Sequence, residues 1–262
     1  MDFGRKALLR ASRRIDQIGK ALRYAAGGTM RLDDLRSEVE RYWSAYNTVH
    51  AEEAAGFRPW EHEIATRFIR AGDAVLVVGC GGGRDVIPLL DMGCRVTGVE
   101  PSRRAVAAAR QLFAERGLAA DVVQGFVEDV TLPGCYDVIS FSDFCYSLIP
   151  ESRRRVEILR KAVRHLAGGG RIMITAFMTQ THRDSRALSI ARALGRWSGS
   201  DWRLERGDHL SSILEDNRLS WSFSHEFTLH ELDGEIADAG LTIVYRHPHV
   251  PAFVLTAKPP CP

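Results

Sequence analysis

The chain has 262 residues, enough to bury one large core or two small ones. Its formal net charge is +2, so composition gives no general attraction to nucleic acid. The five cysteines include no C-x-x-C pair, and no apolar run approaches the roughly 20 residues that cross a bilayer. These counts predict a protein of a reducing, cytoplasmic compartment, without a disulfide framework, a zinc site or a membrane span.

The N-terminal 58 residues are predicted to form a helical extension or lid. Residues 1–31 carry eight Lys or Arg against two acids, and one helical face collects Leu8, Ala11, Ile15, Ile18 and Leu22. This pattern fits a basic amphipathic helix on a membrane surface or an RNA, and it equally fits a docking or lid helix with a solvated basic face. A second helix is predicted from Leu32, because apolar residues recur from there at helical spacing.

Strands and helices alternate from residue 74 onward, which is typical of a parallel sheet covered on both faces. The predicted strands are 74–78, 94–100, 120–125, 136–141 and 171–177, and the predicted helices are 83–92, 103–116 and 151–166. The segment 178–227 interrupts this alternation and is interpreted as an insertion. After it, Thr228 and Glu231 form a capping box that predicts a helix, and strands are expected at 241–246 and 252–257.

The stretch VLVVGCGGGRDVIPLL, residues 75–90, leads from a strand through glycines into a helix, an arrangement that presents backbone N–H groups to a ligand. Arg84 stands where a dinucleotide-binding G-x-G-x-x-G motif has its third glycine. Glu100, at the end of the next strand, is placed to accept the two hydroxyls of a ribose. Together these residues favour an adenosine-type ligand and argue against a pyrophosphate.

Four motifs, VLVVGCGGGRD, VTGVEPS, YDVISFSDF and LAGGGRIMIT, occur in this order, and the chain resembles a class I S-adenosylmethionine-dependent methyltransferase of the small-molecule type. The resemblance covers roughly 60–178, and 228–258 resembles the last helix and strand pair of that family. It implies an α/β, Rossmann-like, doubly wound seven-stranded sheet of order 3-2-1-4-5-7-6 with the last strand antiparallel. Residues 59–262 would form the methyltransferase domain, with 178–227 as a substrate-side insertion.

The resemblance also implies a cofactor site for S-adenosyl-L-methionine, whose product is S-adenosyl-L-homocysteine. Tyr46 would close over it from the lid. The implied cofactor-binding residues of the domain are Gly79, Cys80, Gly81, Gly83, Glu100, Pro101, Phe126, Val127, Glu128, Ser142 and Phe144. Two positions depart from the family pattern, since many relatives have an acid where Val77 stands and Asp where Phe126 stands.

Methyl transfer requires alignment of the acceptor and, for a hydroxyl or a protonated amine, a proton acceptor. Asp143, in the loop after the fourth strand, and His182, shortly after the fifth, are the candidates. The candidate substrate-binding residues are Tyr42, Tyr146, Trp202 and Arg203. No His, Cys, Asp and Glu set has convincing metal spacing, so no metal is predicted.

The expected activity is methyl transfer to an O, N or S nucleophile of a small molecule, by a monomer or homodimer that binds no nucleic acid. An aminopropyl transferase on the same fold is an alternative, although its polyamine substrate would need paired acids where SFSDFCYS offers only Asp143. A cofactor-binding partner subunit without catalytic activity is another, supported by Val77 and Phe126. An RNA-methylating function rests on the basic N-terminus alone.

Overall fold

The computed structural model describes residues 3–50, 56–182, 186–215 and 218–257. Its helices are α1 (Phe3–Thr29), α2 (Leu32–His50), α3 (Pro59–Phe68), α4 (Val86–Asp91), α5 (Arg103–Glu115), α6 (Ser152–Arg164), α7 (Arg186–Ser198) and α8 (Leu229–Asp238), with a 3₁₀ turn at Cys145–Leu148. Its strands are β1 (Ala74–Val78), β2 (Arg95–Glu100), β3 (Asp121–Gln124), β4 (Tyr136–Phe141), β5 (Leu166–Thr175), β6 (Phe177–Met178), β7 (Asp208–Glu215), β8 (Arg218–Phe227), β9 (Leu241–Arg246) and β10 (Ala252–Ala257). In these described segments, no helix is both long and apolar enough to cross a membrane.

The main sheet has seven strands in the order β3-β2-β1-β4-β5-β10-β9. The first five are parallel, and β10 runs antiparallel to both of its neighbours. The predicted order and the antiparallel last strand are therefore confirmed. The sheet forms because its strands are apolar on both faces: Leu76 and Val78 pack into one core, and Val75 and Val77 pack into the other.

Two predicted boundaries differ from the structure for local reasons. The helix predicted from residue 83 begins at Val86, because the glycine loop occupies the intervening residues as a turn. Strand β5 begins at Leu166 and runs through the three glycines that were expected to separate it from the preceding helix. The glycines fall in an irregularity of the β4–β5 pairing, between Tyr136↔Leu166 and Val138↔Arg171, so the strand continues through them as a bulge.

The insertion folds as a short strand, a helix and a long hairpin. Strand β6 pairs with β8, and β8 pairs with β7 over eight residue pairs, from Asp208↔His225 to Glu215↔Arg218. One apolar cluster joins this insertion to α1 and α2 and contains Tyr24, Leu32, Leu35, Leu188, Ala191, Trp202, Leu204, Leu210 and Phe223. The N-terminal helices and the insertion therefore pack as one layer; the predicted domain division at residue 58 stays a prediction.

Candidate active site

The glycine loop turns the chain sharply after β1. Gly79 donates its N–H to the carbonyl of Val99 at 2.8 Å and has a φ of +73°, a conformation that side chains disfavour. A Cβ atom there would lie 3.0 Å from Cys145 Cβ. Gly83 is packed differently, because a Cβ atom on it would meet the ring of Phe113 at 2.7 Å. The loop therefore approaches the 3₁₀ turn Cys145–Leu148 on one side and α5 on the other.

Glu100 ends β2 with its carboxylate held by two backbone N–H groups. Gly81 donates to Oε2 at 3.0 Å and Ser102 donates to Oε1 at 2.9 Å. Burial raises the pKa of Glu100, and these two hydrogen bonds oppose that rise. Each carboxylate oxygen has a further lone pair, and Glu100 lines a cavity, so the fixed carboxylate can accept hydrogen bonds from a ligand.

That cavity, of about 250 Å³, lies at the carboxyl ends of β1, β2 and β4. Nine of the predicted cofactor residues line it: Gly79, Cys80, Gly81, Glu100, Pro101, Phe126, Val127, Glu128 and Ser142. The opposite wall comes from α2, with Leu35, Arg36, Val39, Glu40 and Trp43. Helix α2 therefore forms part of the cavity wall, and its role as a lid stays a prediction.

The remaining predicted cofactor residues are placed differently. Gly83 packs against Phe113, and Phe144 stacks on Phe177 with ring centroids 4.6 Å apart; neither is among the residues that line the cavity. The side chain of Tyr46 lies outside the described residues. Arg36 also lines the cavity and was not predicted from the sequence, although it is next to Leu35, one of the apolar residues of α2.

Phe126, which replaces the Asp of many relatives, is covered by a guanidinium. The Cζ atom of Arg36 lies 3.9 Å from the centroid of the Phe126 ring, a cation–π contact. The same guanidinium pairs with Glu128 at 3.3 Å and with Asp129. Helix α2 is thus fastened to the loop after β3 at the rim of the cavity.

Arg84, at the third-glycine position, anchors the loop to α3. It makes a bidentate pair with Glu61, each N–O distance being 2.8 Å, and it lies 2.7 Å from Asp85. Asp85 accepts a hydrogen bond from the hydroxyl of Ser142 at the end of β4. Burial raises the pKa of Asp85 to about 6, although Arg84 acts in the opposite direction.

Asp143 lines the cavity on a strained backbone. Its φ is +36° and that of Phe144 is +62°, both uncommon for residues other than glycine, and such strain is concentrated at functional sites. Arg58, also a lining residue, donates from Nη1 to Asp143 Oδ1 at 2.6 Å. The structure therefore holds the carboxylate of Asp143 by a guanidinium, between the glycine loop and α3.

His182, the other predicted proton acceptor, lies at a different cavity of about 270 Å³. The physical reason is that β6 pairs with β8 directly after β5, which carries the following residues toward the hairpin. There His182 Nε2 lies 2.7 Å from Glu231 Oε2, and the fully buried His225 lies between Asp208 at 2.6 Å and Glu231 at 3.1 Å. The expectation that His182 faces the same pocket as Asp143 is corrected accordingly.

In this His–carboxylate network, ring nitrogens of His182 and His225 face carboxylate oxygens, to which they can donate hydrogen bonds. Burial tends to raise the pKa of Glu231, but hydrogen bonds from His225 and His182 lower it to about 2. The ligand atoms of His182, His225 and Glu231 lie within 4.8 Å of one another, as do those of Glu205, Asp208 and His225. The absence of a metal stays a prediction.

None of the four predicted substrate residues is among the described residues that line the first cavity. Tyr146 is fully buried and donates to Glu235 at 2.8 Å, and Trp202 is buried and donates to the carbonyl of Met30 at 3.1 Å. Tyr42 lies edge-on to Trp43, and Arg203 is exposed. The groups found there instead are Arg58, Leu148, Ile149, Pro150 and Phe223.

A parallel sheet whose order reverses at β1 and β4, with a glycine loop and a terminal acid at that point, defines the class of nucleotide-binding α/β proteins. Residues 75–170 match the family model described as a methyltransferase domain. The cypemycin N-terminal methyltransferase of Streptomyces sp is 32% identical over 99 residues, covering 38% of this chain and 40% of that protein.

Two further comparisons extend the match. The ubiquinone biosynthesis O-methyltransferase of Xanthomonas euvesicatoria pv. vesicatoria (strain 85-10) is 27% identical over 162 residues, covering 61% of this chain and 64% of that protein. The chain thus spans less than two thirds of the length of both relatives. The structure of the CcbJ methyltransferase from Streptomyces caelestis matches with a TM-score of 0.57 at 20% identity, covering 75% of this chain and 88% of that one, and supports the fold. Residues 75–170 are thus similar to a methyltransferase domain, and the fold of the chain is shared with a solved methyltransferase structure.

Proposed function

We propose that this chain transfers the methyl group of S-adenosylmethionine to an O, N or S nucleophile of a small molecule by direct in-line displacement. The observation that supports this most strongly is the cavity between the glycine loop, Glu100 and α2. It combines a backbone turn that allows close approach, a fixed carboxylate and a helical cover. These features match an extended ligand with a ribose at its centre.

The cofactor would lie across the carboxyl ends of β1, β2 and β4. Glu100 would accept the two ribose hydroxyls with the lone pairs that its backbone partners leave open. Gly79 and Gly81 would pass close to the methionine moiety, where Arg58 and Arg84 supply positive charge for its carboxylate. Phe126 and Glu128 would border the adenine.

The acceptor would enter beside Asp143. The cofactor would supply the methyl group: the nucleophilic atom of the acceptor would bond to the methyl carbon as the carbon–sulfur bond breaks, and the electron pair of that bond would go to sulfur, leaving S-adenosyl-L-homocysteine. Asp143 would take the proton from a hydroxyl or protonated amine, and a thiolate would need no base. Trp43 and Phe223 would exclude water from the reacting atoms, because both line this cavity.

By their names, one of the two relatives above methylates an N-terminus and the other is an O-methyltransferase of ubiquinone biosynthesis, so similarity alone leaves the acceptor atom open. The cavity of about 250 Å³ and the closing α2 favour a small molecule over a folded macromolecule. We further propose that the chain acts as a monomer or homodimer in the cytoplasm.

Two measurements test this function. Calorimetric titration with S-adenosylmethionine and S-adenosylhomocysteine should show binding of both, and binding of neither at millimolar ligand would refute the proposal. Labelled methyl donor should then transfer its label into at least one fraction of a small-molecule extract. Cofactor binding without any labelled product would favour the non-catalytic partner subunit, and a polyamine product formed from decarboxylated cofactor would favour the aminopropyl transferase.

A further inference from the structure

Helix α1 carries an apolar stripe that no described residue covers. Four large side chains of this stripe are mostly exposed: Leu8 at 72%, Ile15 at 68%, Ile18 at 60% and Leu22 at 66%. They follow one another at intervals of seven, three and four residues, so they lie along one side of the helix. We call Leu8, Ile15, Ile18 and Leu22 the α1 stripe.

The α1 stripe points away from the rest of the protein. The helix is attached through its last turns: Tyr24 is buried and donates to the carbonyl of Asp208, Gly27 packs against Leu210, and Gly28 packs against Ala191. Since each residue advances about 100° around the axis, Tyr24 lies roughly 200° from Leu22. The attached side and the stripe are therefore on opposite sides of the helix.

The net charge of α1 is strongly positive. Phe3–Thr29 contains one acid, Asp16, and seven basic residues, Arg5, Lys6, Arg10, Arg13, Arg14, Lys20 and Arg23. By the same rotation, Arg5, Arg14 and Arg23 lie roughly 80–100° from the centre of the stripe, one on one side and two on the other. Long side chains in these positions can extend beside an apolar face toward phosphate groups while their stems contact it.

We propose that α1 binds the chain to the surface of a lipid bilayer that contains anionic headgroups. The stripe would enter the boundary between headgroups and acyl chains, with α1 in the plane of the membrane and the domain attached through Tyr24, Gly27 and Gly28. This is binding on the surface, since no described helix meets the requirements for crossing a membrane. The proposal concerns a surface away from the cofactor cavity and does not depend on the proposed function.

A second copy of the chain is the strongest competing occupant, because Leu8, Ala11, Ile15, Ile18, Leu22 and Ala25 also follow the alternating spacing of a coiled coil. Charge argues against it. Two such helices side by side would each bring seven cations and one anion. Alanine at two of these six seam positions, 11 and 25, also gives small contacts. An RNA would be attracted by the same charge but would leave the stripe in water, so a bilayer accounts for both features.

The test uses the full chain in co-sedimentation with two kinds of vesicle, one of phosphatidylcholine and one of phosphatidylcholine mixed with an equal amount of phosphatidylglycerol. We expect binding to the mixed vesicles, weaker binding to pure phosphatidylcholine, and a loss as salt increases. The double variant Ile15→Glu, Ile18→Glu should bind mixed vesicles at least tenfold more weakly. Absence of binding to the mixed vesicles by the unmodified chain would overturn the proposal.

A matched control carries the same two charge changes elsewhere. Leu229 and Val244 are also exposed, at 49% and 52%, and lie far from α1 in sequence. The double variant Leu229→Glu, Val244→Glu should bind mixed vesicles as the unmodified chain does; if it loses binding equally, the effect is one of net charge and the stripe is not the site. Light scattering of the unmodified chain and the stripe variant tests the competing occupant. If the unmodified chain is a dimer that dissociates in the stripe variant, and neither binds vesicles, the stripe contacts a second copy of the chain.

Discussion

Replacement of Glu100 by glutamine should weaken cofactor binding more than it weakens the fold. The change keeps the shape of the side chain but replaces one acceptor oxygen with an NH₂ group. In the structure both oxygens of Glu100 accept backbone hydrogen bonds, from Gly81 at 3.0 Å and from Ser102 at 2.9 Å. The amide can satisfy only one of these donors, and it offers a neutral oxygen where a ribose hydroxyl would meet a charged one.

The expected loss of affinity follows from these contacts. A hydrogen bond to a charged group contributes about 1.5–3 kcal/mol. Loss of the charge weakens the bonds to the ribose and releases the N–H of the glycine loop, so we expect a total of about 1.4–3 kcal/mol, a roughly tenfold to hundredfold increase in Kd. Burial of the charged carboxylate opposes folding, as the raised pKa of Glu100 indicates. Its removal therefore offsets much of the lost backbone bond, and thermal stability should change little.

The assay is calorimetric titration with S-adenosylhomocysteine, together with thermal denaturation of the same samples. Glu157→Gln serves as the control, because Glu157 is half exposed and, within the described part of the chain, forms its salt bridge with Arg153 on the surface of α6, at 3.0 Å. Its Kd should equal that of the unmodified chain. A Glu100→Gln protein with unchanged melting temperature and a Kd within a factor of two of the unmodified chain would refute the assignment of Glu100 to the ribose.

The other predictions concern catalysis, folding and pH. Asp143→Asn should lower kcat by at least about a hundredfold for a hydroxyl or amine acceptor, with little change in S-adenosylhomocysteine affinity, because the amide oxygen can still accept the hydrogen bond of Arg58 but cannot take a proton; equal turnover in a methyl-transfer assay would contradict a base role. Glu235→Gln should cost about 3 kcal/mol and lower Tm by about 10 °C in thermal denaturation, because Arg155 is fully buried 2.7 Å from that carboxylate; a shift below about 2 °C would show that Glu205 suffices as its partner. Asp85 has a folded pKa of about 6 against an ordinary value of 3.8, so the native state binds its proton first and stability should rise by up to about 3 kcal/mol as pH falls from about 6 to about 4. Urea unfolding of Asp85→Asn should lack that part of the rise, and parallel curves for the two proteins would contradict it.

Sequence patterns predicted the parts of this structure whose signals are local. The buried run at 74–78 became β1 with the predicted bounds, and the capping box at Thr228 and Glu231 begins α8, with the Thr228 hydroxyl accepting from the N–H of Glu231. The order of the sheet followed from the family resemblance, because the sequence of a strand that is buried on both faces does not indicate which strands pair with it. Nine predicted residues around the glycine loop lie at one cavity because parallel strands end at the same edge.

The hairpin of β7 and β8 was not predicted because polar residues interrupt its apolar face. In β8, Trp221, Phe223 and Phe227 alternate with polar residues, but the buried His225 takes one of the apolar positions, and the buried Asp208 faces it in β7. Asp208 and His225 are tolerated there because they pair with each other at 2.6 Å across the two strands. Such a pair is visible only once the register of the hairpin is known, and the displacement of His182 from the expected pocket has the same origin.

Val77 departs from the family pattern, in which many relatives have an acid, and polar contacts at the glycine loop offer a different restraint. Val77 is fully buried in the apolar core between the sheet and α3, α4 and α5, where an acid would need a partner. A polar connection exists instead at the glycine loop. It runs through adjacent contacts of Asp143, Arg58, Glu61, Arg84, Asp85 and Ser142.

Because Ser142 and Asp143 are consecutive, these six residues form a closed ring that joins the end of β4, the start of α3 and the glycine loop. A ring of this kind restrains each member through two neighbours, so the strained backbone at Asp143 is held by more than one contact. It also places the candidate base at a fixed distance from the loop that would hold the cofactor, which is the condition that an in-line transfer imposes. The loss of an acid at position 77 is therefore compatible with an ordered site, because the ring provides the restraint from Arg84 and Asp85.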